Sequence, residues 1–128
     1  SAAEHAADLQ FSDSDAIDSA LTAAADRFGK LLAATDSGMT RGQVSTQLNS
    51  IMSDTMGVSR EGTSLTGAAE RLSQLAETEI TLSDESPVMN TELVEVFRLE
   101  GMVRVSLNAV ESAMDRVESC GSHQRSDE

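Results

Sequence analysis

The 128-residue sequence has no tryptophan, no tyrosine and one proline, and its only aromatic residues are Phe11, Phe28 and Phe97. Single-strand nucleic-acid binders stack bases on aromatic rings above a basic groove, and duplex binders cluster Lys and Arg to displace counterions. Neither is available here, because nine basic residues face 22 acids for a net charge of −13. An anionic membrane surface repels such a chain. No apolar run approaches the ~18 residues that a membrane-spanning helix needs, so neither nucleic acid nor direct membrane insertion is expected. The first residues carry no basic start followed by an apolar stretch, so no signal peptide is expected. One cysteine, Cys120, forbids an internal disulfide framework and suits a reducing compartment.

What is present is helical periodicity. Residues 1–12 are small, polar and acidic and read as a frayed lead-in. From Asp13, the residues Ile17, Leu21, Ala24, Phe28 and Leu31 repeat at intervals of four and three, which is one face of a helix. A second helix starts at Thr40, where Thr40 and Gln43 have capping-box spacing, and carries Val44, Leu48, Ile51, Met52 and Thr55 as its buried stripe. Gly57 suits its C-terminal turn, where a left-handed conformation costs glycine nothing. A third helix runs from about 64 to 78 with Leu65, Ala68, Leu72, Leu75 and Ala76 inward. The fourth, about 91–119, is capped by Asn90 and carries two stripes. One is Leu93, Val96, Val103, Leu107, Val110, Met114 and Val117; the other is Leu99, Met102, Ala109 and Ala113. A helix with two apolar stripes contacts neighbours on two sides. No segment alternates with period two, so strands are not expected. The reading is all-α: an antiparallel bundle of three to four helices with a long last helix, spanning 13–121, followed by a polar tail at 122–128.

No catalytic, cofactor-binding or metal-binding residues stand out. Gly57 to Ser64 nearly spells a phosphate loop, but Thr63 stands where the lysine belongs and a helix, not a strand, precedes it. Asp13-Ser14-Asp15 begins like a calcium loop, but Ile17 occupies the next acid position. Glu92 and Glu95 share a helix face without the histidines of a di-iron bundle. Cys120 sits near a helix C-terminus, whose partial negative charge disfavours a thiolate, so an enzyme built on Cys120 and His123 is the weakest reading. The six methionines suit core gap-filling better than a binding groove.

Three separated elements resemble the flavoprotein subunits of fumarate reductase and succinate dehydrogenase. Ser86-Pro87-Val88-Met89-Asn90-Thr91-Glu92-Leu93 is similar to the family's Asn-Thr-[Asp/Glu]-Leu element, which opens a long helix. Asp115 to Glu128 is similar to the signature Ala-Arg-Lys-Glu-Ser-Arg-Gly-Ala-His-[Ala/Gln]-Arg-x-[Asp/Glu], with Cys120 in place of an arginine. Upstream, Gln47 to Arg60 resembles the family's helix that ends before Gly-[Val/Ile]-[Phe/Tyr]-Arg, with Ser59 in place of the ring before Arg60, and Ala69 to Leu75 fits the next helix. The resemblance covers about 42–128. Aspartate oxidases and adenylylsulfate reductases share this kind of domain, and Gln124 with the Asn-Thr-Glu-Leu element favours fumarate reductase.

The resemblance implies a non-catalytic helical domain near the C-terminus of a parent flavoprotein subunit. That parent is an FAD enzyme interconverting fumarate and succinate, and the segment alone is expected to be inactive and to hold no cofactor. It implies packing on the parent's flavin domain and a face toward the iron–sulfur subunit. The candidate domain-interface residues are Glu118, Gly121, His123 and Arg125, which match the signature one by one. The implied location is cytoplasmic, or peripheral at the inner face of the plasma membrane through partner subunits. The alternative is a free-standing acidic helical adaptor that binds a basic or helical protein.

Overall fold

The computed structural model describes residues 14–33 and 38–128, so the lead-in expected at 1–12 lies outside the described residues. Among the described residues four α-helices follow in chain order: α1 (Ser14–Ala33), α2 (Arg41–Thr55), α3 (Gly62–Ala76) and α4 (Thr91–Asp115). The all-α bundle with a long last helix is what the periodicity leads one to expect.

Local signals start α2 and α4 where the sequence places them, while α3 begins at Gly62, two residues before its expected start. The Thr40 side chain accepts from the Gln43 amide, and the Gln43 side chain accepts from the Thr40 amide, completing the capping box of α2. The Asn90 Oδ1 accepts from the Leu93 amide at 2.8 Å and caps α4. Met56 caps the C-terminus of α2 through its N–H to the Met52 carbonyl; Gly57 follows it without taking the left-handed conformation.

The core lies where α4 crosses α2 and α3. It contains Val44, Leu48 and Ile51 from α2, Leu65, Ala68, Leu72 and Leu75 from α3, and Val96, Leu99, Val103, Val110 and Ala113 from α4, closed by Ile80. Each fully buried Leu or Ile stabilises the fold by roughly 1.5–3 kcal/mol relative to exposure. The two-stripe reading of α4 holds, since the helix packs on both neighbours, although Met102 is exposed. Ala76 is exposed as well.

Two features depart from the sequence reading. Among the described residues four two-residue strands are paired in parallel: β1 (Met39–Thr40) with β3 (Ile80–Thr81), and β2 (Ser59–Arg60) with β4 (Gln124–Arg125). They are too short to show a period of two and exist because helix ends bring distant loops side by side. The last helix also stops at Asp115, four residues short of the expected end, with Arg116 extended at its C-cap. Residues 116–128 then fold back across the α2–α3 connection rather than trailing as a tail.

Candidate functional site

The folded-back C-terminal segment, here called the hook, holds all four interface candidates. Its turn is a backbone bridge in which the amides of Cys120 and His123 donate to each other's carbonyls at 2.8 and 3.0 Å. Gly121 sits at the tip with φ +60°, a conformation glycine adopts without the Cβ penalty. The His123 ring is buried, 7% exposed, between two anchors. Nε2 lies 2.9 Å from the Arg116 carbonyl, which can only accept, so Nε2 carries the proton. Nδ1 then accepts from the Arg60 guanidinium at 2.8 Å. Both ring nitrogens are engaged, so the ring is not free to serve as a base for the exposed Cys120 thiol.

Arg125 and Asp127 form the second half of the hook. The Arg125 Nε donates to Asp127 Oδ1 at 2.8 Å and its Nη2 to Oδ2 at 2.9 Å, a fork-to-fork pair. Its remaining nitrogen reaches the carbonyls of Ala113 and Arg116 at the end of α4. The hydrogen bonds from Arg125 and from the Gly62 amide hold the Asp127 carboxyl well below the usual carboxylate range, and the same pairing raises Arg125. Glu118 is exposed and accepts from the Arg116 guanidinium at the rim. Its pKa is lowered, first by its own backbone amide and then by the Arg116 charge.

Asp127 also explains the near phosphate loop. The first amide of α3, at Gly62, donates to Asp127 Oδ2 at 2.8 Å, where a phosphate would sit on a helix N-terminus. The N-cap Glu61 makes no side-chain cap of its own, so the cap comes from 65 residues downstream. A Cβ at position 62 would lie 2.9 Å from both Arg125 Nη2 and Asp127 Oδ2, so glycine there leaves room for the hook.

The structure thus brings His123 and Arg125 into one network and leaves Glu118 and Gly121 on its outer face. Sequence reasoning missed Arg60, Asp127 and the Arg116 carbonyl as their partners. It also missed a second clasp at the start of α4. The Glu92 carboxylate accepts from the amides of Ser83 and Asp84, and Asn90 Nδ2 donates to the carbonyls of Asp84 and Ser86. Glu92 had looked like a surface acid near a helix start. Among the described residues no cluster of three or more His, Cys, Asp or Glu could hold a metal, and no helix is long and apolar enough to cross a membrane.

These elements recur in known proteins. Residues 45–128 match the family model described as fumarate reductase flavoprotein C-term. The fumarate reductase flavoprotein subunit of Mycobacterium tuberculosis is 44% identical over 73 residues, which is 56% of this chain and 12% of that protein. The corresponding subunit of Haemophilus influenzae is 30% identical over 87 residues, 66% of this chain and 14% of that protein. The FrdA chain of E. coli quinol fumarate reductase superposes with a TM-score of 0.84 and 28% identity, covering 98% of this chain and 22% of that one. The chain therefore spans about an eighth of the length of the curated relatives it matches.

Proposed function

This chain belongs to the fumarate reductase flavoprotein C-terminal family, and from that premise we propose that it packs on the flavin domain of an FAD-dependent parent that interconverts fumarate and succinate. The observation that carries the reading is the family match over residues 45–128, which takes in both the Asn90 clasp and the whole hook. In this reading the segment contributes no reacting group. FAD binding and hydride transfer belong to the parent's other domains, and the segment alone neither binds FAD nor turns over substrate.

The hook is the docking element. Glu118 and the tip at Gly121 are exposed and face the flavin domain, while His123 and Arg125 hold that face from behind through Arg60, Arg116 and Asp127. The iron–sulfur subunit is a further partner of the parent. The assembly is cytoplasmic and peripheral to the inner face of the plasma membrane through its other subunits.

The test has two arms. The isolated 128-residue chain, mixed with FAD and assayed with fumarate and a reduced dye, is expected to show neither bound flavin nor turnover; either one overturns the non-catalytic reading. In the full-length parent, Glu118→Lys is expected to lower the thermal transition of the flavin domain and its flavin occupancy. An unchanged transition in Glu118→Lys and in Gly121→Val removes the hook as the docking element.

A further inference from the structure

The first helix is attached to the bundle in a way the others are not. The inward contacts of α1 among the described residues are concentrated in its last two turns, at Arg27, Phe28 and Leu31. Phe28 meets Phe97 edge-on with centroids 4.6 Å apart, and the Arg27 guanidinium lies 4.8 Å from the centroid of the same ring. Arg27 also pairs with Glu100. Glu100 Oε2 is buried and Arg27 is its ion-pair partner, with Arg104 and Lys30 lining the adjoining cavities. Further up the helix the apolar face is bare, with Ile17 and Leu21 48% and 63% exposed. Beneath the joint lies a cavity of about 100 Å³ lined by Val44, Leu75, Ile80 and Val103 on its apolar side. The packing between α1 and this edge of the core is therefore incomplete.

We propose that α1 is a releasable strap, which docks on and leaves the bundle as a unit while α2 to α4 and the hook stay folded, with Arg27 as its catch. One side chain does two jobs at the joint: it neutralises the partly buried Glu100 carboxylate and covers the Phe97 face. Releasing it uncovers the edge of the core at Val44, Ile80 and Val103. A partly buried carboxylate that loses its cation is costly, which sets the catch's directionality toward the docked state.

Hydrogen–deuterium exchange on the 128-residue chain tests this. Peptides within 24–33 should exchange faster than those of α4 but slower than an unprotected chain. Arg27→Ala should speed them roughly tenfold while leaving 93–113 unchanged. Arg71→Ala, which removes a charge from the exposed side of α3, should change neither. High salt should act in the direction of Arg27→Ala, since it screens the pair. Equal protection of α1 and α4 in the wild type overturns the proposal, as does no protection of α1 at all. So does an Arg27→Ala effect that is absent or spread evenly over all four helices.

Discussion

The two ends of the described chain make an instructive pair. α1 has a clear amphipathic pattern in the sequence, yet most of its apolar face is exposed. The hook, residues 116–128, has no periodicity and one large apolar residue, the exposed Val117, yet it is tied down along its length. An apolar stripe states that a face is better covered than bare; it does not say by what. A polar segment can be firmly placed when its charged groups find partners of fixed geometry. His123, Arg125 and Asp127 do this by satisfying backbone groups that α3 and α4 leave open at their ends.

The largest effect should come from the hook. His123→Ala strips the Arg60 guanidinium and the Arg116 carbonyl of their shared partner and should lower unfolding stability by about 2–3 kcal/mol in a urea titration. A loss no greater than that of Arg27→Ala would erase the contrast between the two ends. Next is the chain just before β1. A Cβ at Gly38 would come within 2.4 Å of the Glu79 carbonyl oxygen, a backbone atom that cannot swing away. Gly38→Ala should cost about 1–3 kcal/mol by prising apart β1 and β3, read as early exchange of the Met39 amide, which donates to Glu79.

Acid sharpens the comparison further. The Asp127 pKa is depressed in the folded chain, so its contribution is fully present above the ordinary aspartate value of about 3.9 and is lost as the pH falls through the folded value. An NMR titration of the Asp127 carboxyl should show it still ionised at the pH where a free aspartate is half protonated. Arg125→Ala should move its midpoint upward; an unmoved midpoint would mean that the pair does not set it. The smallest effects belong to the free half of α1. Leu21→Ser and Ile17→Ser should leave the urea midpoint within about 0.5 kcal/mol of wild type. A large loss in either would place a covering surface over that face.

Helix starts were legible because their chemistry is local. Thr40 with Gln43 and Asn90 with the Leu93 amide span three residues each, and a capping pattern of that reach is visible in a sequence. The end of α4 was not legible. The apolar spacing runs on to Val117, but the chain leaves the helix at Arg116, where the carbonyl turns to the His123 ring. The docking candidates were named by resemblance, yet the reasons for two of them lay elsewhere in the chain. His123 depends on Arg60, 63 residues before it, and Arg125 pairs with Asp127, whose carboxylate also reaches the Gly62 amide 65 residues away. Glu92 shows the same limit, since nothing about an acid in a first helical turn reveals the two amides it clasps.

By itself the sequence determined the all-α character of the bundle, the starts of α2 and α4, and which face of α2, α3 and α4 makes the core. Those features rest on contacts within a few residues and on a periodicity that packing must respect. The tertiary structure alone decided that the last thirteen residues form a hook rather than a tail, and that an aspartate at its end caps a helix begun much earlier. It also decided that α1, for all its apolar spacing, is the least covered of the described helices. Hydrogen bonds between distant residues depend on where the backbone returns, and the burial of a face depends on what lies opposite. Neither is written in the spacing of side chains along one segment.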